Sequence, residues 1–154
     1  MPHARTSRSG PVAPVRRVQT GRVSLTDRCR TLLTERTPDT DAALALLPLA
    51  ETLWAEHVKA RRAVRIAETP TRISRAEAAF QACETVAEAI INAPMPRTSA
   101  GLRALSIGVA MAYEGCLDRS EPVHNALWQL VCGVMMSVEG GEPPEGFETF
   151  SDRG

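Results

Sequence analysis

Aromatic residues are scarce: two Trp, one Tyr and three Phe make up 4% of 154 residues. That is too few for a base-stacking platform or an aromatic cage around a ligand. No uncharged apolar run approaches the roughly 20 residues that a membrane-crossing helix needs. Phosphate cradles of the G-x-x-x-x-G-K-[ST] and G-x-G-x-x-G types are missing, as is the G-x-S-x-G elbow of a serine hydrolase. The four cysteines, Cys29, Cys83, Cys116 and Cys132, show no C-x-x-C or C-x-x-x-C spacing. No apolar stretch follows Arg16-Arg17 to make an export signal. The chain therefore reads as reduced and cytoplasmic, its cysteines small buried hydrophobes rather than a disulfide framework.

What the sequence does contain is alanine and arginine. Of the 44% hydrophobic residues, 22 are Ala, a composition that favours helix-on-helix packing over sheets. The net charge of zero is a sum of opposites. Residues 1–36 carry eight Arg against Asp27 and Glu35, a balance of +6, and residues 37–154 carry ten basic and sixteen acidic residues, a balance of −6. Of the 18 basic residues 17 are Arg. Arg is suited to phosphate and carboxylate recognition, but so uniform a bias matches genome base composition better than a ligand.

Pro2, Gly10, Pro11, Pro14, Gly21 and Pro38 punctuate the N-terminal stretch, so residues 1–38 are predicted as a disordered Arg-rich arm. Within it a short helix over Thr26–Arg36 remains an alternative. Residues 39–140 are predicted as a helical bundle, and residues 141–154 as an acidic flexible tail. The first body helix starts at Asp39-Thr40-Asp41, runs through 41–68, and turns Leu46, Leu49, Ala50, Leu53, Trp54, His57, Ala60, Val64 and Ala67 inward. Pro48 predicts a kink or break near Ala45–Leu47, because an interior proline costs about 3 kcal/mol. Ser74 and Glu77 form a capping box, which places the second helix over 75–92. The Pro94-Met95-Pro96 elbow leads to a third helix over 99–114. Its Gly101, Ala104 and Gly108 allow close approach of a neighbour, and its all-round apolar character makes it the central helix. Ser120-Glu121-Pro122 starts a fourth helix over 122–138, carrying Val123, Leu127, Leu130, Val131, Val134 and Met135.

The Asp41-Ala42-Ala43-Leu44 start, the Pro94-x-Pro96-x-Thr98-x-Ala100-Gly101-Leu102 elbow and the Ala126-Leu127-Trp128-Gln129-Leu130 segment together resemble a group of small bacterial all-helical proteins. The resemblance covers roughly residues 39–140 and implies a helical fold without implying an activity, cofactor or catalytic residue.

Three constellations have a chemical reading beside a structural one. Glu121-x-x-His124 has the step of a di-iron bundle, but a second copy is missing and Glu121 suits a helix start. Cys116, Glu121, His124 and Cys132 are too scattered for a zinc site. His57, beside Trp54 and Glu56, reads as a packing residue rather than a general base. Lys59-Ala60-Arg61-Arg62 and Arg65 make a basic patch, with Arg72 and Arg75 beyond it and Glu56 placed to neutralise Lys59 or Arg61.

The fold reading is thus all-α, a small bundle of three to four antiparallel helices behind a disordered basic arm. The functional reading is a non-catalytic interaction or regulatory protein that presents a helical surface to a protein partner or to itself. Lys59, Arg61, Arg62, Arg65, Phe147 and Phe150 are its candidate partner contacts, with no cofactor, metal or membrane. The alternatives are a nucleic-acid accessory protein using the Arg-rich arm, and a metal-binding helical bundle.

Overall fold

The computed structural model describes residues 23–36, 40–138 and 141–146. Five helices follow in order: α1 Leu25–Glu35, α2 Ala42–Ile66, α3 Pro70–Ile91, α4 Ser99–Ala112 and α5 Pro122–Met136. No strand occurs among the described residues, and no helix among them is long and apolar enough to cross a membrane. One core joins all five. It contains Cys29 of α1, Leu46, Ala50 and Trp54 of α2, Val86 and Ile90 of α3, Ile107 and Met111 of α4, and Val131 and Met135 of α5. Helix α4 packs against α2, α3 and α5, so it is the central element its apolar character predicts. Helix α5 has α4 as its main support.

The N-terminal boundary differs from the expected one. Residues 25–35, predicted as part of the disordered arm, form α1, and the body begins there. Ser24 Oγ accepts from the Asp27 amide at 3.1 Å and donates to the Asp27 carboxylate at 2.6 Å, a compact version of the reciprocal cap. Cys29 then buries itself while Leu25, Leu32 and Leu33 pack at the core's edge. This is the short helix over Thr26–Arg36 that the sequence offered as the alternative to a disordered arm, displaced by one residue. The rest of the proposed arm, residues 1–22 and 37–38, lies outside the described residues, as do residues 147–154 of the tail.

Helix α2 is continuous through Pro48. The ring is exposed, so the Leu44 carbonyl that loses its amide donor lies on the solvent side, where water can serve it. Leu46, Ala50 and Trp54 are at most 2% exposed. Burial of Leu46 alone stabilises by about 1.5–3 kcal/mol. Together with Trp54 it outweighs the proline, and no break forms.

Helix α3 begins one turn before the predicted Ser74–Glu77 box. Thr69 accepts from the Arg72 amide and Pro70 takes the first helical position, where its fixed φ is already suitable. Ser74 therefore sits inside the helix. The Arg72 guanidinium reaches back to the Ala63 and Ala67 carbonyls, each at 3.1 Å, closing the end of α2.

Asp41 occupies the N-cap place of α2 but does not cap it. Its carboxylate instead accepts from the Arg97 amide at 3.0 Å, the Thr98 amide at 2.9 Å and the Thr98 hydroxyl at 2.5 Å. The starts of α2 and α4 are thereby joined. Gly101 leaves room for this contact, since a Cβ there would collide with the Asp41 carboxylate and come 2.7 Å from Pro96 Cβ. Further along α4, a Cβ on Gly108 would lie 2.6 Å from Ile90 Cγ2, so the small-residue stripe does bring α4 and α3 together.

Candidate interaction surfaces

Helical spacing puts His57 and Arg61 on one side of α2, one turn apart. Both reach Glu114, which follows the end of α4 just before Gly115 turns the chain at φ 66°. His57 Nε2 lies 2.6 Å from Glu114 Oε2, and Arg61 Nη1 pairs with Glu114 Oε1. The His57 and Glu114 side chains are only 4% and 6% exposed. The rings of Trp54 and Phe80 pack near the imidazole, with centroids 5.5 and 5.6 Å away. The sequence singles out His57 but not its carboxylate, and Glu56, expected beside Lys59 or Arg61, is exposed while Arg61 pairs with Glu114.

This cluster is built as a cross-link between α2 and the end of α4. His57 Nδ1 is buried and has no hydrogen-bond partner among the described residues. The nearby Cys83 thiol is pushed up to about 12 by burial, with the charge of Glu114 adding to the shift. A thiol held protonated in this way is a packing group, not a nucleophile.

The basic residues singled out in the sequence do not share one face. Arg61 is committed to Glu114. Arg65 is exposed at the last turn of α2. Lys59 and Arg62 come together on the wall of a groove of about 750 Å³ between α2 and residues 142–145. Trp54, Ala55, Val58, Ala63 and Ile66 supply its apolar lining. The far wall is held in place by three contacts. Trp54 Nε1–H donates to the Glu145 carbonyl at 2.8 Å, Arg62 pairs with the Glu145 carboxylate at 2.7 Å, and Arg103 donates to the Glu142 carbonyl at 3.3 Å. Phe147 and Phe150 lie outside the described residues.

The other surface is the outside of α5. Val131 and Met135 point into the core. Val123, Leu127, Leu130 and Val134, spaced four, three and four residues apart, lie along a different side of the same helix. Val123 is 77% and Leu130 62% exposed and Val134 is half-buried, while Leu127, at the edge of the row, also packs against the core. Gly133 adds an open place on this side, with nothing within 4 Å of a Cβ built there. No Asp, Glu, Lys or Arg occurs from Pro122 to Met136. The sequence pattern puts all these apolar residues on one helix without separating its faces. The signal was present: the helix is apolar nearly all round, and its main neighbour covers one side.

The imagined zinc ligands are not assembled. His124 Nδ1 accepts from the Asp118 amide at 3.1 Å, and Cys116 is exposed. Among the described residues no group of three His, Cys, Asp or Glu is placed to hold a metal ion. Comparison with protein-family models, with curated proteins and with solved structures finds no match to this chain.

Proposed function

We propose that this is a non-catalytic interaction protein that presents α5 to a protein partner. The observation that carries the reading is the uncharged outer face of α5, where Val123 and Leu130 stand mostly in water. Apolar side chains scattered singly over a surface need no explanation, but a row at helical spacing does. Covering such a row gains about 25 cal/mol per Å² of apolar surface removed from water. The fitting partner is a helix with its own apolar stripe, since a helix face meets another helix with matched ridges and grooves. Ala126 and Gly133 flank the row and let a second backbone approach closely.

The nucleic-acid reading has less behind it. Arg61 and Arg62 of α2, Arg72 of α3 and Arg103 of α4 are engaged by acceptors of the chain itself, which leaves Arg65 as the exposed guanidinium of the α2 patch.

A photo-crosslinking side chain placed at Leu130 tests the proposal in the native host, with the same group at exposed Arg75 on α3 as the control. The reading expects a discrete adduct from position 130 and none from position 75. A second copy of this chain in that adduct would make the partner the protein itself. Equal labelling from both positions, or no adduct from either, contradicts the proposal.

A further inference from the structure

We propose that the partner of α5 is a second copy of this chain, with the two α5 helices packed antiparallel about a two-fold axis between Gln129 and Leu130. The inference rests on the α5 reading and names the occupant of that face.

Charge is the first argument. A two-fold interface sets the same surface of both copies against itself, so a charge near the axis meets its own equivalent. Pro122–Met136 holds no Asp, Glu, Lys or Arg, and identical faces come together there without repulsion. Direction follows from the residues just ahead of the helix. Asp118, Arg119 and Glu121 would crowd against their own equivalents in a parallel pair. In an antiparallel pair they stand beside the copy's Ser137, and the positive end of each helix lies beside the negative end of the other.

The order of side chains is the second. Val123 and Met136, 77% and 60% exposed, lie equally far from the point between Gln129 and Leu130. Ala126 and Gly133, both exposed, are also equidistant from it. Reversal about that point puts Ala126 opposite the copy's Gly133, where nothing lies within 4 Å of a built Cβ. Leu130, beside the axis, meets the copy's Leu130. At 3.6 residues per turn, Val123, Leu130 and Val134 share one flank of the face, and Pro122, Gln129 and Met136 share the other. Val123 thus comes to the copy's Val134, and Met136 to the copy's Pro122. Each large apolar side chain on the face gains an apolar neighbour from the copy.

Size is the third, and it sets the strength. The 15 residues of α5 make a face about 22 Å long and about 10 Å wide. That is a smaller contact than the roughly 800 Å² per partner of a standard interface. The dimer therefore forms at high concentration and dissociates on dilution.

Sedimentation of the full chain over a dilution series tests the pairing. The mean mass should rise with concentration from one chain towards two. Leu130→Glu and Leu130→Lys each put like charges at the axis, so each alone should stay monomeric through the series, and an equal mixture of the two should regain the dimer. Direction is read separately. A nitroxide on Val123→Cys, in a Cys116→Ser background that removes the exposed native thiol, is mixed with isotope-labelled natural chain. It should broaden the Val134 methyl signals of the labelled chain more than those of its Val123. A natural chain that stays monomeric up to about 1 mM overturns the self-pairing, while the adduct from position 130 still decides the α5 reading on its own. A dimer that survives both Leu130 substitutions, or broadening strongest at Val123, overturns the self-pairing as well.

Discussion

His57 Nε2 and Glu114 Oε2 lie 2.6 Å apart although 57 residues separate them in the sequence. This contact, shared with Arg61, ties the middle of α2 to the turn after α4. Removing one member of a buried charged cluster strands the others, a change that costs about 3–5 kcal/mol in a fully buried pair. Arg61 is one-third exposed and recovers water when released. Glu114→Gln, which keeps the shape but not the charge, is therefore expected to cost about 2–3 kcal/mol. Urea unfolding measures it. A loss below about 1 kcal/mol, within the range of ordinary surface changes, would show that the cluster does not hold α2 and α4 together.

Asp41 makes stability depend on pH in a defined direction. The Thr98 hydroxyl, then the Arg97 amide, then the Thr98 amide, all donate to its carboxylate, and together they hold it below the usual carboxylate range. A carboxylate with a depressed folded-state pKa stabilises above its unfolded value, about 3.9, and loses that contribution as pH falls through the folded value. The stability gap between the natural chain and Asp41→Asn should be widest above about pH 5 and close as pH drops below about 4. A gap that stays constant down to the lowest pH at which the protein folds would contradict the assignment.

Two glycines should respond oppositely to alanine. Glycine in a helix interior is normally worse than alanine by about 1 kcal/mol. At Gly133 nothing lies within 4 Å of the added Cβ, so Gly133→Ala should stabilise by about 0.5–1 kcal/mol. At Gly108 the added atom meets Ile90 Cγ2 at 2.6 Å and Ile90 Cβ at 3.0 Å. Ile90 is buried and stiff at χ1, so α3 and α4 must separate. Gly108→Ala should destabilise, and Gly108→Leu should cost at least the 1–3 kcal/mol typical of an overpacked core, roughly stated. Denaturant midpoints read both signs, and stabilisation by Gly108→Ala would place α4 further from α3 than described.

The thiols should divide by reactivity. Burial pushes up the thiols of Cys29, Cys83 and Cys132, that of Cys83 to about 12, whereas Cys116 is exposed. An aromatic disulfide reagent at pH 8 should find one fast thiol in the folded protein, and Cys116→Ser should abolish that phase. A fast phase that survives the substitution would show another thiol open to solvent.

Much of the fold was legible because its boundaries have local causes. Thr98, Pro122, the Pro94–Pro96 elbow and Gly115 act within a turn of their own position, and the helices they delimit stand where the sequence places them. Helix α1 was legible only as an alternative over Thr26–Arg36, because scattered Arg and Pro favoured an arm, and the start of α3 was misplaced because Thr69-Pro70 and Ser74-x-x-Glu77 are overlapping start signals. The surfaces were less legible. Lys59, Arg61, Arg62 and Arg65 are adjacent in sequence, but helical rotation sends Lys59 and Arg62 to the groove and Arg61 to Glu114. No local pattern marks Glu114 as the partner of His57. The two faces of α5 escaped for a related reason: periodicity reveals a buried side only when the opposite side is polar.

The most direct measurement of the central claim is affinity purification from the native host with the natural chain and with Leu130→Glu in parallel. Leu130 is 62% exposed, so the substitution should leave folding stability within about 0.5 kcal/mol, as surface changes usually do. Circular dichroism and a melting curve verify this first. With both chains equally folded, the account predicts that a protein, or a second copy of this chain, co-purifies with the natural chain and is lost with Leu130→Glu. Recovery of the same proteins in the same amounts with both chains would contradict the assignment of α5 as the docking face.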